Sequence, residues 1–277
     1  MSQATLTFLL NLLLIAGGVL TLYSVYFCIV AAFGFRRQGQ APSVAAKTRF
    51  ALVVAARNES AVIGQLVDSL HAQNYPKELF DVIVAPNNCT DDTRAVALAH
   101  GAKIFDPQGE IRSKGEVLAQ INAKLMAGDD YDAVCVFDAD NLVHPNFLQK
   151  MNNAYLSGAR AAQGFRDSKN PKDSPVSTCY SVVYWMMNRF YNAGRSALGL
   201  SAQISGSGFM VGLDLLRSLG GWRTETMTED YEFTAQCVLA GHRVHYVPGA
   251  VIYDEQPLTF FQSWRQRRRW TTGSVQG

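Results

Sequence analysis

The chain has 277 residues, of which 48% are hydrophobic and 17% charged, and its formal net charge is +2. That length suits one sizeable domain plus a membrane segment and is too short for two large domains. So small a charge gives no field that would mark nucleic acid as a partner.

Residues 2–35 contain no charged side chain, and the run 6–33 is rich in Leu, Val, Ile and Phe. About 20 such residues cross a bilayer. Arg36, Arg37, Lys47 and Arg49 follow, and positive charge flanking one end assigns that end to the cytoplasm. A signal peptide would begin with positive charge and carry a shorter apolar core and a small-residue cleavage site. The start here, Met1-Ser2-Gln3, has no side-chain charge. A buried core helix is the remaining alternative. The expectation is a transmembrane anchor over 1–35, a linker over 36–48, and the bulk of the chain on the cytoplasmic face of a cell membrane, inner or plasma.

Strands and helices then alternate. Residues 50–55 are a short unbroken apolar run, as a buried parallel strand requires. A helix is expected over 60–72, with Val62, Ile63, Leu66, Val67 and Leu70 on one face; Tyr75-Pro76 breaks it. A strand over 80–85, a helix over 90–100 closed by Gly101, and a short strand over 102–105 follow. A helix over 115–126 leads to a strand over 133–137. This order predicts an α/β fold with a mostly parallel sheet flanked by helices, with ligands at the carboxyl ends of the strands. Beyond residue 160 the pattern changes: a polar loop over 167–175, then a long helix over 176–198 that is apolar around most of its girth. A helix over 229–240 follows Thr228.

Five cysteines (Cys28, Cys89, Cys135, Cys179 and Cys237) are widely spaced, odd in number and without metal-finger spacing. They argue for a reducing compartment rather than a disulfide framework. His242 and His245 lack a third ligand for a metal.

Three clusters carry chemistry. Asp138-Ala139-Asp140 ends the strand over 133–137. Two carboxylates there suit magnesium or manganese, which prefer oxygen ligands and keep open positions for phosphate; such a metal neutralises a departing diphosphate. The competing reading is a turn or a helix cap. Thr228-Glu229-Asp230 reads as an N-cap with acids in the first turn, or as a site whose carboxylate, Asp230 or Glu229, is a general base. Gln266-Arg267-Arg268-Arg269-Trp270 lies in a segment, 257–272, that carries Phe260, Phe261 and Trp264. It fits an interfacial amphipathic helix, with Arg269 reaching a diphosphate and Trp270 forming a wall for a sugar. Lys114-Gly115, in an expected flexible loop, reaches toward phosphate or solvent. Ser205-Gly206-Ser207-Gly208 permits close approach of a ligand or forms a simple turn.

Together these elements resemble glycosyltransferase family 2 with the GT-A fold, over about residues 50–270, in the manner of the membrane-integrated synthases of cellulose, hyaluronan, chitin oligosaccharides and poly-N-acetylglucosamine. The resemblance rests on Val54-Ala55-Ala56-Arg57-Asn58-Glu59, Asp138-Ala139-Asp140, Thr228-Glu229-Asp230 and Gln266 to Trp270, in that order. It implies a GT-A domain over 49–256 and an amphipathic interface helix over 257–277. It also implies residue roles. Ala56 and Glu59 border the nucleotide, Asp138 contacts it, and Asp140 holds the metal together with Asp138. Asn87 and Lys114 belong to the nucleotide-sugar site. Asp230, with Glu229, supplies the base of an inverting displacement. Gln266, Arg269 and Trp270 hold diphosphate and acceptor, with Gly206, Ser207 and Thr228 on the acceptor side. The implied donor is a UDP-sugar and the implied acceptor a glycan or a lipid-linked molecule at the bilayer. The Gln-x-x-Arg-Trp pattern also resembles glucosylceramide synthases, which act on lipid.

Two departures are visible. Asn87 stands where many relatives carry an Asp that grips uracil. Polymer-making relatives also continue into further membrane helices, whereas this sequence stops at Gly277. The expectations this leaves are a truncated synthase, a non-processive enzyme, or one part of a complex in which a membrane partner subunit supplies the channel. A catalytically silent nucleotide-sugar-binding subunit is the reading from another class.

Overall fold

The computed structural model describes residues 2–36, 39 and 41–276. Met1, Arg37 and Gly277, which enter the expectations above, lie outside them. The first helix, α1 (Gln3–Phe33), is capped by the Ser2 hydroxyl, which accepts from Thr5 N at 3.2 Å. It is long and apolar enough to cross a membrane, and most of its surface is exposed. Only its final turns meet the rest of the protein. Phe27 stacks on Tyr191 at 6.1 Å, and Arg195 donates to the Tyr26 hydroxyl. Backbone meets backbone here: a side chain at Gly194 would run into the Val30 carbonyl, and one at Gly34 into that of Arg189.

Residues 44–48 are pinned down. Asn152 Oδ1 accepts from Thr48 N at 3.1 Å, from the Thr48 hydroxyl at 2.8 Å and from the Tyr75 hydroxyl at 3.1 Å, while Gln149 donates to Val44 O at 2.8 Å.

The domain is built on one eight-stranded sheet. Its strands are β1 (Phe50–Ala56), β2 (Phe80–Pro86), β3 (Lys103–Ile104), β4 (Ala133–Phe137), β5 (Leu142–Val143), β6 (Ala161–Ser168), β7 (Phe209–Gly212) and β8 (Val244–Asp254). The spatial order is β3-β2-β1-β4-β7-β6-β8-β5. The first half, through β4, is parallel as expected. The second half is mixed: β7 runs antiparallel to both β4 and β6, β5 is antiparallel to β8, and β6 and β8 are parallel.

Helices cover both faces, so β1 and β4 are buried on both sides and show no polar alternation. On one face Leu52 and Val54 pack with Leu66 and Leu70 of α2 (Ile63–His71) and with Phe147 and Met151 of α5 (Phe147–Leu156). On the other, Val53, Val134 and Val136 pack with Leu118 and Ile121 of α4 (Lys114–Ala127), with Leu216 of α8 (Leu213–Ser218), and with Phe233 of α9 (Glu229–Leu239). Trp222 stacks on Phe233 with ring centroids 4.1 Å apart. A short helix, α3 (Thr93–Ala99), ends just before Gly101, which takes φ +88.

Three expectations are corrected. Lys114 opens helix α4, with Ser113 as its N-cap, and does not lie in a loop. The region 167–175 is not wholly loop, because β6 runs through Ser168. The stretch 176–198 is not one helix: α6 (Pro175–Met186) passes into a π-helical stretch (Met187–Asn192) and then α7 (Ala193–Ala197). The π turn and α7 together receive α1. The last helix, α10 (Phe260–Gln276), exposes Phe260, Phe261 and Trp264.

Candidate active site

Strand β4 ends at Phe137 and delivers Asp138 and Asp140 to the carboxyl edge of the sheet. The turn is locked from beneath. Asp138 N donates to the Ser207 hydroxyl at 3.0 Å and to Asn141 Oδ1 at 3.2 Å. Asn141 Nδ2 donates to Asp254 Oδ1 at 2.9 Å and to Asp140 Oδ1 at 3.3 Å. Asp254, 4% exposed, also receives a forked pair from Arg166, Nε at 2.9 Å and Nη2 at 2.5 Å. The third arm of Arg166, Nη1, donates to Ser205 O at 2.6 Å. One guanidinium therefore ties β6, the end of β8 and the Ser205–Gly208 turn together.

Lys114 joins the aspartate pair to the second acidic cluster. Its ammonium donates to Asp138 Oδ1 at 2.5 Å and to Gly206 O at 2.7 Å, and lies 3.8 Å from Glu229 Oε1. Burial works against that charge, but the Asp138 and Glu229 carboxylates outweigh it and hold the Lys114 pKa above its ordinary value. Thr228, Glu229 and Asp230 sit at the start of α9. Burial raises both Glu229 and Asp230 above the ordinary carboxylate range; Lys114 opposes the shift in each. Gly206 adopts φ +80, and a Cβ there would lie 3.4 Å from Asp230 Oδ2. The two acidic clusters thus face one cleft.

The donor set fits a divalent cation. Burial, with Asp254 and Asp138 nearby, pushes the Asp140 carboxyl up to about 7; a cation in place of that proton relieves the crowding. Among the described residues no group of three or more His, Cys, Asp or Glu side chains forms a ready metal cage. Two carboxylates with phosphate oxygens and water completing the shell is how magnesium is commonly held.

At the ends of β1 and β2, Asn87 N donates to Ala56 O at 2.9 Å, and Asn87 Oδ1 is buried without a partner. That oxygen is a spare acceptor for an N–H. The neighbouring turns hold Asn58 and Asn88 at φ +57 and +48, a conformation Asn tolerates better than most residues. Glu59 N donates to the Thr93 hydroxyl at 2.8 Å, and burial followed by the Asp138 carboxylate raises the Glu59 carboxyl. Glu59 and Asp140 line a cavity of about 680 Å³ together with Gln262, Arg265, Gln266 and Arg269 of α10. The Gln266 side-chain oxygen is buried without a partner. Trp270 packs at an angle on Tyr180, 6.3 Å away.

The structure therefore gathers Lys114, Asp138, Gly206, Glu229 and Asp230 most closely. Asp140, Glu59, Gln266 and Arg269 surround the adjoining cavity, and Ala56 and Asn87 sit where β1 and β2 end. Ser207 is corrected: it is fully buried, and its hydroxyl accepts from Asp138 N and donates to Asn141. It supports the aspartate turn and presents no group to an acceptor. Sequence reasoning missed Asn141, Arg166 and Asp254. Asn141 directly follows the aspartate pair, but Arg166 and Asp254 are 88 residues apart and share no local pattern.

A helix-flanked mixed sheet with its acidic residues gathered at the strand ends has the GT-A-like architecture of the glycosyltransferases. The sequence profile of the family described as "Glycosyltransferase like family 2" matches residues 47–273, and the chain belongs to that family. It is similar to the beta-monoglucosyldiacylglycerol synthase of Synechocystis sp. (27% identity; 81% of this chain, 47% of the relative). It is also similar to the poly-beta-1,6-N-acetyl-D-glucosamine synthase of Staphylococcus aureus (25% identity; 80% of this chain, 53% of the relative). The chain thus spans about half the length of these curated relatives. In fold it matches the mannosyltransferase PcManGT of Pyrobaculum calidifontis, solved with GDP-Man and Mn2+, with a TM-score of 0.70 and 20% identity over 91% of this chain and 70% of that one.

Proposed function

We infer that this glycosyltransferase carries out an inverting transfer of a hexose or N-acetylhexosamine from a UDP-sugar to a hydroxyl of a growing glycan, at the cytoplasmic face of a cell membrane. The observation that carries this reading is Lys114, which spans the cleft between Asp138 and Glu229.

In this reading Asn87 and Ala56 receive the base, and the spare Asn87 oxygen accepts an N–H from it. Asp138, Lys114 and Arg269 surround the diphosphate. A magnesium or manganese ion held by Asp138 and Asp140 would neutralise charge on the leaving group. Asp230 takes the proton of the acceptor hydroxyl as its oxygen bonds to the sugar C1; the C1–O bond to the diphosphate breaks and UDP leaves. Attack opposite the leaving group turns an alpha-linked donor into a beta-linked product. The buried setting of Asp230 makes it a stronger base than a free carboxylate.

A second reading, transfer of a single sugar to a lipid, draws on the name of the Synechocystis relative and on Met227 and Tyr231. These side chains flank the acidic turn and are 50% and 60% exposed, offering an apolar approach to it.

The test is UDP or GDP release from a panel of donor sugars in native membranes with magnesium or manganese, followed by product sizing. Asp230→Asn is expected to lower turnover by about 100-fold or more, the range of a lost general base. An unimpaired variant refutes the assignment. A ladder of products favours the glycan reading, a single addition the lipid one. Release from GDP-sugars alone would replace the expected base.

A further inference from the structure

The Thr228–Asp230 turn is approached by three glycines from three separate elements. Gly206 lies beside Asp230 Oδ2 as described above. Gly115 belongs to α4, and a Cβ there would come within 2.7 Å of Thr224 Oγ1 and 3.5 Å of Glu229 Cβ. Gly273 lies near the end of α10 and is buried. A Cβ at Gly273 would stand 2.7 Å from Thr228 Cγ2, 3.0 Å from Thr228 N and 3.1 Å from Thr228 Oγ1. Glycine is a poor helix former, so its place inside α10 matches the lack of room for anything larger.

The rest of α10 shows why this contact matters. Its first half is held by Tyr180, whose hydroxyl hydrogen-bonds the Ser263 hydroxyl at 2.9 Å and accepts from Arg267 Nε at 3.1 Å. Its second half rests on the acidic turn at Gly273. Between Ser263 and Gly273 lie Gln266, Arg269 and Trp270.

We propose that Gly273 is a positioning residue: its missing side chain lets α10 seat on Thr228, and this fixes the spacing between Asp230 and the helix face that bounds the acceptor site. The proposal rests on the reading of Asp230 as the base. An alanine at this position pivots the second half of α10 about its Tyr180 support and widens that spacing. Lys114, Asp138 and Asn87 lie on other elements and keep their places. Arg269 rides on α10 and shifts with it, so the loss falls mainly on kcat, with a smaller rise in donor KM.

The experiment is a double-mutant cycle on the full chain in native membranes, reading UDP release from UDP-glucose and UDP-N-acetylglucosamine. Gly273→Ala is expected to lower kcat about 10-fold or more, since misplacement by 1 Å can cost on the order of 100-fold. Donor KM is expected to rise by less than kcat falls, because Lys114 and Asp138 keep their places and only Arg269 moves with α10. Thr228→Ser removes the closest clashing atom, so Gly273→Ala in that background should cost markedly less than in the wild type. The clash with Thr228 and the better helix propensity of alanine oppose each other in the thermal midpoint of Gly273→Ala, so a melt run alongside checks that the variant is folded. A wild-type kcat in Gly273→Ala, or an equal loss in both backgrounds, overturns the proposal. Asp230→Asn, run alongside, separates the two ideas. If that variant retains wild-type turnover, or the wild-type protein releases no UDP, the base reading fails and the positioning role falls with it. An inactive Asp230→Asn beside an unimpaired Gly273→Ala removes the positioning role alone.

Discussion

Asp230 and Glu229 keep their protons to a higher pH than a free carboxyl does, because burial disfavours the ionised form more than Lys114 favours it. On the proposed reading Asp230 is the base and works only when deprotonated, so turnover should rise with pH along a limb centred above the ordinary value of about 4 and then level off. The positive charge of Arg166 pulls Asp230 down. Arg166→Gln should therefore move that acid limb of log kcat/KM to still higher pH, and an unmoved limb would separate Arg166 from the base. The linkage has a stability side as well. A carboxyl raised on folding favours the folded state least once pH exceeds its folded pKa. Carboxyls with raised pKa gathered in a cleft are a pattern common at functional sites. The aspartate pair and the Thr-Glu-Asp turn were legible in the sequence because each is a short local pattern. The Arg166–Asp254–Asn141 support was not, since the contact exists only once β6 and β8 pair.

Elements differ in how openly the sequence declares them. Strands β1, β2 and β4 are short apolar runs buried on both faces, and their helices carry broad apolar faces, so the parallel half of the sheet could be read directly. The strands beyond are less regular. β8 is interrupted by Pro248-Gly249 and mixes buried with half-buried positions, and its register with β6 shifts between Gly164 and Phe165. Period alone does not find such strands. The α6 to α7 region misled for a related reason: a π turn keeps the apolar composition of a helix while changing its pitch. Asn152 illustrates the support that elements lend each other. Its single carbonyl oxygen collects the Thr48 backbone and hydroxyl and the Tyr75 hydroxyl in a fully buried place. Asn152→Ala would strand these donors, at a cost of about 3 kcal/mol. Denaturant unfolding of the detergent-solubilised protein measures this; a change below about 0.5 kcal/mol, the size of an ordinary surface substitution, would exclude the role.

At the scale of the whole molecule, α1 and the domain are joined by packing as well as by chain. The seam is backbone against backbone at Gly194 and Gly34, with Phe27 on Tyr191 beside it. Gly194→Leu should force the helix away while leaving the sheet and its core intact. Limited proteolysis is expected to cut the 34–48 region faster in that variant than in the wild type, with the catalytic fragment still resistant. Equal cutting would mean that the seam does not hold.

The 31 residues of α1 extend about 46 Å at 1.5 Å per residue, against a hydrocarbon layer of about 30 Å. Roughly ten residues are left over, and Tyr26, Phe27, Val30 and Gly34, which grip the domain, lie in or just beyond that surplus. With α1 spanning the bilayer, as proposed, a stilt of this kind would set the working height of the cleft. In that arrangement acceptor hydroxyls would be selected by their altitude above the lipid as well as by their chemistry.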